Sequence, residues 1–314
     1  MPWDERTAKQ LKLRDLNIFK TVTRFGSMGR AAAQLAISPP AISKAISDLE
    51  HVLGVRLLDR SRQGVEPTQY GSALLKWSTA VFDDLKQGVE EIDTLADPGR
   101  GIVRVGTSEQ TPAELVSVVI TLLSPRYPRL AFSVIQAATV PMQSRDLRER
   151  SVDLIFGRLS LDPTEDEDLN TEILFEDPYI VISGEASKWL RRRHIELDQL
   201  VDEPWCLNVG HLEANVIAAF HAKGLEAPRQ IVTTNSNQLK HALVATGQFL
   251  SVTSASRLRL SNKRLGLRPL KVDIAIPPSR VGLVTLKGRM ISPAAHLFID
   301  GARKITRSFA NKDQ

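Results

Sequence analysis

Apolar residues recur at Leu13, Leu16, Phe19, Val22 and Phe25, three positions apart throughout, and Gly26 follows. That spacing predicts a helix over 13–25 with one buried stripe. A second helix is expected over Arg30–Leu35, carried by three alanines, with Ser27 as its N-cap and Ala36-Ile37 as a brief turn after it. Ser38 then stands directly before Pro39, and serine followed by proline is a strong helix start. The third helix would bury Ala41, Ile42, Ala45, Ile46 and Leu49 and turn Ser43, Lys44, Ser47 and Asp48 outward, with Gly54 as its C′ residue. Two short helices joined so closely form a helix-turn-helix, and the second has the size of a recognition helix for the DNA major groove. An ordinary αα-hairpin is the competing account. Val55–Thr68 reads as two extended pieces around Arg62-Gln63-Gly64, a β-hairpin wing that offers Arg56, Arg60 and Arg62 to a phosphate backbone.

Gln69–Ala96 contains no proline and sets Leu74, Trp77, Val81, Leu85, Val89, Ile92 and Leu95 along one side at steps of three or four. The stripe is narrow, closer to a coiled-coil seam than to a broad core-facing surface, so the segment is expected to be a dimerisation and linker helix. Asp83, Asp84, Glu90, Glu91 and Asp93 occupy the remaining face and are expected to be solvated. Asp97-Pro98-Gly99-Arg100-Gly101 ends the helix and marks a domain boundary. Beyond it the pattern changes to short strands alternating with helices. Strands are expected at Ile102–Gly106, Leu130–Gln136, Asp153–Gly157, Trp205–Val209, Gln230–Thr233 and Phe249–Val252. Helices are expected at Pro112–Leu123, Val140–Arg150, Leu212–Lys223 and Asn237–Thr246. Two longer extended stretches, Leu169–Ser183 and Leu267–Pro277, look able to leave one sheet and return. The prediction is an α/β clamshell of two lobes behind an all-α winged module, with a ligand cleft between the lobes.

Charge sharpens this division. Residues 1–76 carry 12 Lys/Arg against 7 Asp/Glu, residues 77–97 carry 1 against 6, and residues 98–314 carry 28 against 23. A basic first module suits phosphate contact, and the acidic helix after it suits a spacer. The single cysteine, Cys206, has no partner for a disulfide within the chain and is expected to be a small buried hydrophobe. The polar start MPWDERTAKQ has no signal-peptide pattern and no apolar run is long enough to span a bilayer, so the cytoplasm is the expected compartment. His51, His194, His211, His221, His241 and His296 show no metal-ligand spacing. Neither a phosphate loop, a dinucleotide fingerprint nor a nucleophile elbow appears, so no metal, cofactor or enzyme activity is expected.

The stretch Leu13–Arg60, LRDLNIFKTVTRFGSMGRAAAQLAISPPAISKAISDLEHVLGVRLLDR, resembles the LysR-type transcriptional regulators of bacteria. The likeness returns in Asp153–Arg158, Leu239–Val252 and Ile291–Asp300. It implies a winged helix-turn-helix over 1–68, a linker helix over 69–97 and a periplasmic-binding-protein-like effector domain over 98–314. Lobe I would then comprise about 102–168 and 274–307, and lobe II about 169–273. It also implies a homo-oligomer, a dimer or dimer of dimers, that binds double-stranded promoter DNA and a small-molecule effector and touches RNA polymerase. Base contact would come from Ser38, Pro39, Pro40, Ala41, Ser43, Lys44 and Ser47, and backbone anchoring from Ser27, Arg30, Arg56, Arg60 and Arg62. Pro39 stands where the family often has glutamine, which exchanges an amide for an apolar ring suited to a thymine methyl.

For the effector, Thr107, Ser108 and Gln110 resemble the family's ligand-contacting segment, and a strand end feeding a helix start supplies free N–H groups for an anion. Thr139, Asn208, Gly210 and Thr253 are expected opposite them. Arg158 would pair with an anionic effector, such as a carboxylate, sugar acid or aromatic acid, or else with the acidic Asp162–Asp168 loop. Helix capping is an equal role for Thr107 and Ser108. A clamshell binding protein or enzyme with a helical appendage is the alternative from another class, and a ligand-free chromosome-organising protein is a third.

Overall fold

The computed structural model describes residues 9–61, 64–96, 99–108, 113–137, 140–159 and 167–310. Arg62, Gln110 and Thr139 therefore lie outside the described residues, as do the side chains of Leu95 and Ser108. The chain divides into two compact units, Met1–Glu90 and Glu91–Gln314.

In the first unit, helices α1 (Leu13–Phe25), α2 (Met28–Leu35) and α3 (Pro39–Leu53) surround a core of Phe19, Val22, Ala31, Ala32, Ile42, Ile46 and Leu49. Alanines at the crossing let the helix backbones approach closely. Ser27 caps α2, accepting from the Arg30 N–H at 3.4 Å, and Ser38 caps α3, accepting from the Ala41 N–H at 3.4 Å. Ala36 turns the chain in a left-handed conformation, φ 53°. The Ile37 N–H reaches back to the Ala32 carbonyl at 3.1 Å, which offsets the cost of a non-glycine residue there. Gly26 and Gly54 end α1 and α3 with positive φ, as the sequence suggests.

The wing is an antiparallel pair, β1 (Leu58–Ser61) and β2 (Gly64–Pro67), in register from Leu58↔Pro67 to Ser61↔Gly64. The Glu50 carboxylate on α3 accepts from the Leu57 and Leu58 N–H groups at 2.8 and 3.3 Å, so the third helix anchors the wing's first strand. Thr68 then starts α4 (Gln69–Ala96): its hydroxyl donates to the Arg56 carbonyl at 2.8 Å and accepts from the Gly71 N–H at 3.1 Å. Gly71 is required by packing rather than by its dihedrals, since a Cβ there would sit 2.0 Å from the Leu57 carbonyl oxygen.

In the second unit, the first sheet runs β4 (Leu130–Ala137), β3 (Gly101–Ser108), β5 (Leu154–Arg158), β12 (Ser279–Leu286), β6 (Leu169–Asp177). The first three strands are parallel, and β12 is antiparallel to both of its neighbours. Helices α5 (Ala113–Leu123) and α10 (Pro293–Ala310) cover one face over Val105, Leu115, Phe156 and Phe298. Helix α6 (Val140–Arg148) supplies Leu147 to a smaller cluster with Val152 and Ile155.

The second lobe holds β10 (Ser251–Ser254), β7 (Tyr179–Gly184) and β11 (Leu267–Pro269) in one antiparallel sheet, and β8 (Pro204–Asn208) with β9 (Gln230–Thr234) in a parallel pair. Leu250 stitches these together, accepting from Cys206 and donating to Pro204, both at 2.8 Å. Helices α7 (His211–Ala222) and α8 (Asn237–Ala245) pack on β8. Helix α9 (Ala255–Leu265) contributes Leu258 to a second-lobe cluster and Leu260 to the first-lobe core.

Three expectations change. The stretch Leu169–Ser183 is two strands, and the chain passes between sheets at Pro178, so β6 lies in the first sheet and the second lobe starts near Tyr179 rather than Leu169. In Leu267–Pro277 only Leu267–Pro269 is strand. The acidic face of α4 is not uniformly solvated: Asp83 is buried and accepts from the Gln87 amide at 3.1 Å.

Candidate nucleic-acid interface and interlobe cleft

Capping and burial leave α3 with a polar outer face. Pro39, Pro40, Lys44 and Ser47 are exposed, Ala41 and Ser43 half-buried. The Ser43 hydroxyl donates to the Met28 sulfur at 3.9 Å, which ties it to α2. Ser38 is exposed, Ser27 is half-buried, and each hydroxyl is engaged as a cap. Arg30 on α2 and Arg56 and Arg60 at the wing are exposed. The expected contact residues thus share the helix-turn-helix and wing, with cations on three separate elements. Among the described residues, no helix is long and apolar enough to cross a membrane and no cluster could hold a metal ion.

The α4 stripe faces outward. Trp77 and Ile92 are each 67 % exposed, and Val81, Leu85 and Val89 are also exposed. Among the described stripe residues, Leu74 packs half-buried on the winged module's core. Opposite them Asp83 and Gln87 are buried, and Ser78 is buried as well. Lys20 of α1 lies 5.0 Å from the Phe82 ring centre, and burial lowers its pKa against the raising effect of Asp83. A helix with buried polar groups and an exposed apolar seam is inverted for a lone chain.

Between the lobes lies a small cavity lined by Arg158, Tyr179, Asn208, Leu212, Asn237, Lys240, Val252, Thr253 and Arg257, with only about 20 Å³ of free space. Three of the predicted residues, Arg158, Asn208 and Thr253, meet here. Arg158 ends β5 with its guanidinium 5.0 Å from the Tyr179 ring centre. Asn208 ends β8, and its amide donates to the Asn237 side-chain oxygen at 3.3 Å. Thr107, the last but one residue of β3, lies outside this lining; it is 7 % exposed and its hydroxyl has no hydrogen-bond partner. Gly210 precedes α7 at φ 99° and does not line the cavity. Asp168, at the described end of the acidic loop, pairs with Arg148 at 2.8 Å.

The residue at the centre was not anticipated. Lys240, one turn into α8, is 2 % exposed, and its ammonium donates to the Asn208 side-chain oxygen at 2.5 Å and the Val252 carbonyl at 3.5 Å. Both acceptors are neutral. Burial, followed by the Arg257 and Arg158 charges, lowers its pKa from 10.5 to about 7. The neighbouring His241 is lowered to about 4, again chiefly by burial and then by Lys240 and Arg257. Arg257 itself is buried and lies 3.8 Å from Glu114 of α5. A sequence signal did exist: Lys240 precedes Leu243 and Val244 by three and four residues, an apolar position in the helical period, whereas Leu239 beside it is 47 % exposed. Nearby in the chain, Asp177 accepts from the Ser256 N–H and hydroxyl at 2.9 and 2.6 Å, fixing the start of α9 to the strand crossing.

Comparison with known proteins agrees with this layout. Residues 13–72 match the model for bacterial regulatory helix-turn-helix proteins of the lysR family, and residues 96–306 match the LysR substrate binding domain. The transcriptional regulator GbpR of Azospirillum brasilense is 29 % identical over 299 residues, covering 94 % of this chain and 86 % of that protein. A full-length OxyR variant of Pseudomonas aeruginosa has the same fold, with TM-score 0.64 and 22 % identity over 93 % of this chain and 95 % of its own. CbnR, solved in complex with its target DNA, superposes with TM-score 0.53 and 20 % identity over 94 % of this chain and all of that one (100 %).

Proposed function

Because the chain belongs to the LysR family of transcriptional regulators, we propose that it binds dyad-symmetric promoter DNA as a homo-oligomer and that a small anionic effector between its lobes alters that binding. The observation that carries the DNA reading is the outer face of α3, where Lys44 and Ser47 stand clear of the core beside the exposed Arg30, Arg56 and Arg60. In this reading α3 enters the major groove and the arginines grip phosphates on either side. CbnR, which shares this fold, has been solved in complex with its target DNA.

The exposed seam of α4 supports pairing of two chains, as a dimer or a dimer of dimers. Two recognition helices would then address the two halves of one site. The effector acts by binding one arrangement of the lobes more tightly than another, since only differential affinity shifts an equilibrium. The altered arrangement changes the spacing of the DNA-binding modules and their contact with RNA polymerase. The protein works in the cytoplasm and without catalysis on this reading.

The test is retention of promoter fragments by the full-length protein against random duplex at moderate salt, repeated after deletion of residues 1–68. Selective retention that disappears with the deletion is expected. Equal retention of promoter and random duplex removes the sequence-specific reading and leaves the chromosome-organising one. Failure to retain any duplex, with ligand binding intact, favours a clamshell binding protein.

A further inference from the structure

We propose that the second lobe carries a nucleic-acid contact of its own, a cluster of Arg191, Arg192 and Arg193 that grips the phosphate backbone of double-stranded DNA without reading its sequence. This goes beyond the reading above, which draws its DNA contacts from the first unit.

Between β7 and β8, residues 186–195 read ASKWLRRRHI and hold four Lys/Arg with no Asp/Glu. The groups around the arginines are matched. Lys188 pairs with Glu203 at 2.6 Å, and the His194 ring meets Glu196 at 2.7 Å. Glu185, the acid just before the run, pairs with Arg268 at 2.8 Å. Arg191, Arg192 and Arg193 are all exposed, and among the described residues their guanidinium groups have no ion-pair or hydrogen-bond partner. The two acids that bound the run are thus already engaged, and three adjacent cations stand without a countercharge.

The backbone beneath them is fixed at both ends. Ser187 caps the short 3₁₀ turn Lys188–Arg191, accepting from the Trp189 N–H at 3.4 Å, and the Arg192 N–H donates to the Trp189 carbonyl at 3.1 Å. Trp189 and Leu190 pack on the second-lobe core. On the far side Ile195 is buried, and its N–H donates to the Lys271 carbonyl at 3.1 Å. A span anchored in this way loses less freedom on binding than a loose basic tail would.

Spacing and chemistry select the partner. Arg192 is extended, with φ −85° and ψ 132°, which sets the Cα atoms of Arg191 and Arg193 roughly 6.6 Å apart. That step is close to the distance between successive phosphates along one strand of a duplex. Guanidinium forks bind phosphate oxygens in bidentate fashion. A run of one sign at a regular step suits a polymer of repeating phosphates better than an acidic protein face, whose carboxylates have no fixed period. Contacts of this kind add affinity for any duplex and steepen its salt dependence, but carry no sequence information.

Arginine modification by phenylglyoxal, with and without a long duplex of random sequence, tests this on the full-length protein. Cleavage after Glu185 and Glu196 releases all three arginines in one peptide, which mass spectrometry reads directly. The duplex should slow modification of that peptide and also of Arg60 in the wing. Protection of Arg60 alone overturns the proposal and leaves the winged module's role intact. Protection of the three arginines without Arg60 supports the proposal and removes the wing contact, and protection of neither overturns both. Poly-L-glutamate and phosphatidylglycerol vesicles, matched in charge concentration, represent an acidic protein and a membrane surface; equal protection by either overturns the assignment to DNA. The triple variant Arg191→Gln, Arg192→Gln, Arg193→Gln changes only exposed groups. It should lower the slope of log affinity against log salt by about 2–3, at about 0.9 per phosphate contact. An unchanged slope in the folded variant overturns the proposal.

Discussion

Replacing Lys240 by methionine should make the ligand-free protein more stable near neutral pH. The amine is lowered from 10.5 to about 7 in the folded state. Holding it there costs about 5 kcal/mol relative to the unfolded chain, at about 1.36 kcal/mol per pKa unit. Methionine has similar length and no charge to desolvate. It leaves the Asn208 side-chain oxygen and the Val252 carbonyl without the Lys240 donor, a loss of about 1–3 kcal/mol. The net gain is therefore about 2–4 kcal/mol at pH 7.

Its sign depends on pH in a definite way. A lysine whose folded pKa is depressed imposes its full penalty below about 7 and sheds it as pH climbs toward 10.5, because over that window the unfolded chain holds a proton that the folded one does not. The advantage of the methionine variant should be largest at pH 6–7 and shrink steadily by pH 9. Urea unfolding of both proteins at several pH values, followed by far-ultraviolet circular dichroism, measures it. A methionine variant less stable than wild type at pH 6.5, or a difference that does not change with pH, would refute the electrostatic account of Lys240.

Three further outcomes are expected. Gly71→Ala forces a Cβ to within 2.0 Å of the Leu57 carbonyl and should destabilise the winged unit by about 2–4 kcal/mol, the range of an overpacked or strained site, read as a lowered midpoint in thermal unfolding of the chain. Leu85→Glu on the exposed seam of α4 should weaken self-association at least tenfold, seen in sedimentation velocity; an unchanged distribution would show that this face does not pair. Lys44→Ala should cost about 1–3 kcal/mol on the preferred promoter and little on random duplex, a pattern of base readout, whereas Arg60→Ala should weaken binding to all duplexes alike and reduce its salt dependence. Quantitative electrophoretic shifts at two salt concentrations distinguish the pair, and exchanged behaviour would reverse the assignment of groove and backbone contacts.

How far the chain could be understood before its structure depended on how local each cause was. Helix α3 needed only Ser38, Pro39, an apolar stripe and Gly54, all within seventeen residues, and its bounds follow from them. Helix α4 was equally legible because its period runs unbroken for 28 residues. Its burial was not, since an exposed seam and a buried Asp83 depend on what packs against the helix. Strand β12 was missed as a separate element because its Val281–Val284 run, buried on both sides between β5 and β6, does not alternate. Helix α9 was missed because its polar, basic sequence conceals the two positions, Leu258 and Leu260, that serve different cores. In the cleft, Arg158, Asn208 and Thr253 were accessible as strand ends, which point toward open space in an α/β fold. Lys240 was hidden by the habit of reading a helical lysine as surface, although its place in the stripe with Leu243 and Val244 marked it as inward.

The position of β12 also bears on how the protein is made. It lies between β5 and β6, yet it leaves the ribosome about a hundred residues after β6 ends at Asp177. At roughly 5–20 residues per second, β6 waits about 5–20 seconds for the neighbour that completes its sheet. The second lobe, whose strands all lie within that interval, can mature first and hold the unfinished half's edges close together. A synonymous change that altered translation speed over residues 179–278 would then affect the yield of active protein without altering a single side chain.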